Sequence, residues 1–313
     1  FPGVASRPRA TRPRPVEARP VSMAHPILAP YVLDGWYVLH QFFRVEPIAP
    51  RAAEDDGAAG GLQSRAEDLA KLLRSWEDLG SEGWSGLYRI VGGGADILLL
   101  HFRSSLEALG QVEREIRRSP LAEELVPTAD YVSVVELGLY SLTNALIKEA
   151  QERGVDTGSE SWQAMGDAAL AEEAGKKYVQ GRLHPTQPDE MPYVCFYPMD
   201  KRRKVEQNWY SLPMAERAAL MAEHGNTGRR YAGRISQIIS GSVGLDDWEW
   251  GVTLFAVSPL DLKAIVTEMR YDEVSALYAE FGSFWVGHRI PGERIVEELS
   301  GLPEPDRSLH WVR

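Results

Sequence analysis

Seven histidines are the candidate metal ligands in this chain of 313 residues, none in HxxxH, HExxH or Cys/His spacing, and the one cysteine, Cys195, can form no CxxC pair. A dedicated zinc centre is not expected, so a bound metal would need histidine or cofactor ligation. His224 stands out by position. It ends the helical stretch "LPMAERAALMAEHG", where Leu220 at i−4 and Met221 at i−3 set it on the apolar face. Gly225 follows as the natural C-cap. Two readings stay open there, an inward-pointing ligand or a last-turn imidazole stabilised by the helix dipole.

The stretch "YVCFYPMDKRRK" puts Tyr193, Cys195 and Tyr197 on one face of a strand and leads into Met199, Lys201, Arg202, Arg203 and Lys204. It couples a redox-capable phenol to cations that could hold carboxylates. The alternative is a solvated basic turn after an aromatic strand. Arg182, Arg229 and Arg270 each fall just outside a predicted strand or helix and could add to such an anion site, although a single arginine is more often a surface residue. In "RISQIISG", strand alternation puts Gln237 on the face of Ile235 and Ile239, so a buried amide in need of a partner is expected among aliphatics.

These side chains must be positioned by elements that occur twice along the chain. The first half reads as an extended run 36–45, a helix 63–79, strands 87–91 and 95–102, a helix with Leu109, Val112 and Ile116 on one face, and a strand 131–137. The second half repeats the order with 193–197, a helix 213–224, 234–240, 249–256, a helix with Leu262, Ile265 and Met269 on one face, and 284–286. A shift of 153 positions superposes the two apolar triplets, which points to duplication. Each half is then a ferredoxin-like β-α-β-β-α-β repeat, and the fold class expected is α+β, a dimeric α+β barrel within one chain. The domain expectation is a disordered Pro/Arg-rich arm at 1–26, one repeat at 27–150, a partly helical linker at 151–181 over a pocket, and a site-bearing repeat at 182–313.

The formal charge of −11 disfavours nucleic acid and anionic lipid as general partners, so an anion site must be built locally. The longest apolar run, Ile97 to Leu100, is too short for a membrane span. The single cysteine allows no intramolecular disulfide and fits a reducing cytoplasm, and the first residues lack the apolar core of a secretory signal.

The stretches "VCFYPMDKRR", "NWYSLPMAERAALMAEHGNTGRRYAGRISQIISGSVGLDDWEWGVTLFA" and "EMRYDEVSALYAEFGSF", and more weakly "YVSVVEL" in the first half, resemble the coprohaem decarboxylases of the chlorite dismutase superfamily. The resemblance covers the chain from about Tyr31 and implies two ferredoxin-like repeats closed into one barrel, assembled as a homopentamer. It further implies His224 as proximal ligand of haem iron, Tyr197 as the redox-active tyrosine and Gln237 on the distal side. Arg182, Met199, Lys201, Arg229, Arg270 and Ser275 would contact propionates. Glu273 could orient the imidazole of His224.

The activity implied is hydrogen-peroxide-dependent decarboxylation of two propionates of Fe-coproporphyrin III (coprohaem) to give haem b, with Lys201 holding a propionate beside Tyr197. Contact with a ferrochelatase handing over coprohaem is left open. Chlorite dismutation is disfavoured because that chemistry uses a distal arginine where this chain has Gln237. A carrier or sensor without turnover would need His224 but not Tyr197, and a small-molecule monooxygenase on such a barrel would not call for clustered cations.

Overall fold

Alternating burial and paired apolar faces organise the chain into strands and amphipathic helices, here seen in a computed structural model that describes residues 28–46 and 58–300. The arm at 1–26 lies outside the described residues. The first half runs β1 (Val32–Val45), α1 (Ala58–Ser75), β2 (Gly83–Ile90), β3 (Ile97–Arg103), α2 (Leu106–Arg117) and β4 (Leu125–Gly138). Three helices follow, α3 (Tyr140–Glu152), α4 (Glu160–Ala174) and α5 (Lys177–Leu183). The second half runs β5 (Tyr193–Lys201), the small hairpin β6 (Arg203–Lys204) and β7 (Gln207–Asn208), α6 (Met214–Arg229), β8 (Ile235–Gly241) and β9 (Trp250–Ala256). It ends with α7 (Pro259–Met269), α8 (Glu273–Tyr278), β10 (Ala279–Phe281), β11 (Trp285–Arg289) and α9 (Ile295–Ser300).

Among the described residues the main sheet has strand order β10-β5-β11-β2-β3-β1-β4-β8-β9, and β9 also pairs back onto β5 from Tyr193↔Ala256 to Met199↔Trp250. That last pairing closes the antiparallel sheet into a barrel and leaves only β10 outside the ring. The first half contributes β2-β3-β1-β4 and the second β8-β9-β5-β11, with corresponding elements in corresponding places. Pairings β4–β8 and β11–β2 join the halves. The fold is thus a mixed α+β fold built on a large antiparallel sheet.

Strand β3 explains why an apolar run appears in an antiparallel sheet. All seven of its residues are buried; Ile97 and Leu99 pack under α1 and α2, whereas Leu98, Leu100 and Phe102 fill the barrel interior with Val38, Phe42, Phe196 and Phe255. Helices α2 and α7 bury the two triplets 153 positions apart, and the caps keep the same offset, since the hydroxyls of Ser105 and Ser258 accept from backbone amides of the first turns. Each such cap is worth about 1 kcal/mol.

Several boundaries differ from the sequence expectation. Strand β4 begins six residues before Tyr131, because β1 offers it a partner almost from end to end. Helix α6 runs through Gly225 to Arg229, so Gly225 is an interior residue rather than the C-cap. No helix among the described residues is long and apolar enough to cross a membrane.

Candidate functional site

Two-residue periodicity on three adjacent strands builds the floor of a cavity of about 750 Å³. From β8 come Gln237 and Ile239, from β9 Trp250 and Val252, and from β5 Tyr197, Met199 and Lys201. The registers Ile239↔Val252, Tyr197↔Val252 and Met199↔Trp250 put these side chains on one face, and the alternate residues Ile238, Phe255 and Phe196 point into the barrel core. Helices α6, α7 and α8 form the facing wall.

On α6, Met221, His224 and Gly225 line the cavity, as three- and four-residue spacing requires. The Nδ1 atom of His224 lies 2.7 Å from Oδ2 of Asp272, which leaves Nε2 as the nitrogen available to a metal. Asp272 is itself fixed as the N-cap of α8, its Oδ1 accepting from the Ser275 amide at 2.8 Å. Burial opposes charge on Asp272, but the bond from His224 and the Ser275 amide outweigh it and hold its pKa below the usual carboxylate value. The orienting carboxylate is therefore Asp272 and not Glu273, which begins the helical turn and is exposed.

Tyr197 is 4% exposed and its ring stacks on Phe284 at a centroid separation of 4.4 Å and an interplanar angle of 23°. Burial, reinforced by Cys195 two residues back, pushes its phenol pKa far above 10, so the hydroxyl stays protonated across the ordinary pH range. Lys201, four residues on, is 8% exposed with its ammonium 4.6 Å from the Trp209 ring centroid. Burial lowers its pKa to about 8, against the pull of Asp272 and Glu249.

Of the basic run after Tyr197, only Lys201 turns into the cavity. Arg202 donates to the carbonyls of Ala276 and Leu277, while exposed Arg203 and Lys204 pair with Glu249 and Glu280. The remaining cations come from elsewhere. Arg182 of α5 lies near Arg229 of α6, and burial together with that second guanidinium lowers the Arg182 pKa. The Arg270 guanidinium sits 3.9 Å from the centroid of Phe281. Ser275 completes this wall.

The nine residues to which the family resemblance gave a ligand or propionate-side role thus all line one cavity, whereas Tyr193, Cys195, Arg202, Arg203, Lys204 and Glu273 do not. Gln237 differs from expectation in being exposed to it rather than buried. Sequence reading missed Glu136 and Trp250, whose indole Nε1–H donates to Glu136 Oε1 at 3.3 Å, and also Glu173 and Tyr178 from the helices between the halves. Glu136 stood in the quoted "YVSVVEL" stretch, where alternation with the apolar residues was the available signal.

The family model for chlorite dismutase matches residues 63–290. The chain belongs to the chlorite dismutase family. A Halobacterium salinarum protein named for a proposed heme-binding role is 41% identical over 282 residues, which is 89% of this chain and 52% of the relative. The chain therefore spans about half the length of that relative. A heme-binding protein from Thermus thermophilus is 40% identical and superposes with a TM-score of 0.72, covering 87% of this chain and 98% of its own. Chlorite dismutase from Candidatus Nitrospira defluvii, solved with imidazole, gives 0.60 at 16% identity over 85% and 96% of the two chains, a likeness of fold alone.

Proposed function

We propose that this chain binds an iron porphyrin through His224 and decarboxylates two propionates of coprohaem with hydrogen peroxide, giving haem b. The fold is read accordingly as two ferredoxin-like repeats from one duplication, the second carrying most of the site. The observation that carries the proposal is one cavity in which a carboxylate-oriented imidazole, a buried phenol and a buried lysine meet. The donor set fits a porphyrin iron. One imidazole has its second nitrogen engaged, and among the described residues no group of three or more His, Cys, Asp or Glu side chains could hold a bare metal ion. The heme-binding relatives agree with that ligand class.

The iron of bound coprohaem supplies, with peroxide, the oxidising equivalents. The protein supplies placement. His224 anchors the ligand from α6, while Arg182, Arg229, Arg270, Ser275 and Met199 engage its periphery and Lys201 holds one carboxylate near Tyr197. Tyr197 gives up its proton and an electron, and the phenoxyl oxygen then takes hydrogen from the β-carbon of that propionate. The β-carbon radical gives up a second electron to the oxidising equivalents drawn from peroxide, the bond to the carboxylate breaks to release carbon dioxide, and a vinyl group remains.

Two relatives are named for heme binding alone, so a carrier is the second reading. It gives no role to the juxtaposition of Tyr197 and Lys201. Chlorite chemistry would want a cation where the amide of Gln237 faces the cavity. Peroxide titration of the coprohaem complex, with chlorite in a parallel sample, tests the choice. Vinyl products from peroxide and little oxygen from chlorite are expected; rapid oxygen release from chlorite, or coprohaem recovered intact after peroxide, contradicts the proposal.

A further inference from the structure

Each decarboxylation, on the reading just given, consumes a proton. One propionate anion, one hydrogen peroxide and one proton give one vinyl group, one carbon dioxide and two waters. The bond to the carboxylate, one C–H bond at the β-carbon and the O–O bond all break, and the two electrons lost by the substrate reduce the peroxide. Loss of hydrogen from the substrate returns one of the two protons that the peroxide oxygens require. The other must enter from outside.

We propose that Glu136 delivers this proton, receiving it from Asp34 at the surface and passing it into the cavity. The inference rests on the decarboxylase reading. Glu136 lies in the cavity lining with its Oε1 accepting from Trp250 Nε1–H. Its other carboxylate oxygen occupies the space over Gly241, where a Cβ would stand only 2.3 Å from Oε2. Asp34 is the direct cross-strand partner of Glu136 in the β1–β4 register, so both side chains leave the sheet on the same face, and Asp34 is exposed. The pair therefore spans from solvent to the cavity wall through two carboxyl groups.

The groups around Glu136 favour its neutral form. Burial raises its pKa first, the Trp250 hydrogen bond opposes this, and the charge of Asp34 raises it further; burial also raises Asp34. From the start of α3 the phenol of Tyr140, itself raised by burial, lies within reach of the Glu136 charge. The other titratable groups in the lining have separate tasks. Glu173 is held by Lys176 and Tyr178, and its pKa is lowered by these bonds. Lys201 and Tyr197 are engaged with the reacting propionate, and the three arginines with the porphyrin's periphery. Glu136 is left as the wall carboxyl able to gain and lose a proton.

Binding a polyanionic porphyrin beside Glu136 should draw a proton onto it, whether or not iron is present. Calorimetry of metal-free coproporphyrin III binding, repeated in buffers of different ionisation heat, reads that uptake. The expected result is net uptake by the unaltered protein that falls in Glu136→Gln. Peroxide reactions of the coprohaem complexes give the second readout. Glu136→Gln should keep the starting visible spectrum, release carbon dioxide at least tenfold more slowly, and recover part of the rate as pH is lowered. Asp34→Asn should show a smaller slowing with the same pH trend. Equal proton uptake with and without Glu136, or full-rate decarboxylation by Glu136→Gln, overturns the relay. If the unaltered protein releases no carbon dioxide, the decarboxylase reading falls by that result alone, whereas the calorimetric comparison still decides whether Glu136 gathers a proton beside a bound porphyrin.

Discussion

Lys201 must be charged to hold a carboxylate, and its burial brings the loss of that charge into an accessible pH range. With its pKa lowered to about 8, affinity for coprohaem is expected to weaken as pH rises through that value, and Lys201→Arg should move the weakening to higher pH. Binding titrations at a series of pH values measure this directly; a flat profile would remove Lys201 from carboxylate binding. At His224 the two acids of "RYDEVS" separate by role. Asp272→Ala should change the visible spectrum of the bound porphyrin and cost about tenfold in affinity, while Glu273→Ala should change neither. The ligand candidate was legible in the sequence, but its carboxylate was not. Asp272 and Glu273 are adjacent, and only the capping geometry of α8 turns one inward and leaves the other exposed.

Strand alternation made part of the cavity floor legible, since it placed Tyr197 with Tyr193 and Cys195 and Gln237 with Ile235 and Ile239; β5 continues past the expected end at 197, which brings Met199 and Lys201 onto the Tyr197 face. The helices were harder to delimit. Gly225 looked like a stop signal, yet the helix carries it through its interior because a glycine within a helix costs only about 1 kcal/mol relative to alanine. The segment between the halves was legible only as partly helical, since its contacts lie far off in sequence. One such contact is close enough to test. A Cβ on Gly35 of β1 would stand 1.9 Å from the carbonyl oxygen of Leu183, a backbone atom of α5 that a rotamer change cannot move. Gly35→Ala should therefore displace α5 and, with it, Arg182. We expect several-fold weaker coprohaem binding and faster amide exchange in 177–183, read by hydrogen exchange; unchanged exchange there would show that α5 does not depend on this seat.

The barrel as a whole depends on pairings that local pattern does not specify. The apolar triplets at 109–116 and 262–269 made the like order of elements in the two halves legible, but the β9–β5 pairing that closes the ring joins residues whose partners are set by curvature and register. Closure also seals polar groups inside. His40 is fully buried, its Nε2 2.9 Å from Thr253 Oγ1, and burial lowers its pKa to about 3; burial likewise depresses His101, with help from Arg103. Because an unfolded histidine titrates near 6.5, stability from these neutral rings is complete above that pH and is lost as pH falls toward their folded values. Each contributes a slope of about 1.4 kcal/mol per pH unit in that window. Urea unfolding from pH 7 downward should show a shallower acid decline in His40→Gln than in the unaltered protein. Identical declines would mean that His40 does not govern it.

The proposed decarboxylation requires Tyr197 to act on a propionate held in the cavity that His224 faces. Mass analysis of the porphyrin after stepwise peroxide addition to coprohaem-loaded unaltered protein and Tyr197→Phe tests that claim most directly, with coprohaem affinity measured on both. Phe keeps the ring against Phe284 but has no hydroxyl to oxidise. Two successive decarboxylations are expected of the unaltered protein, and near-equal binding without any vinyl product of the variant. Haem b formed at the same rate by both proteins would contradict that role of Tyr197.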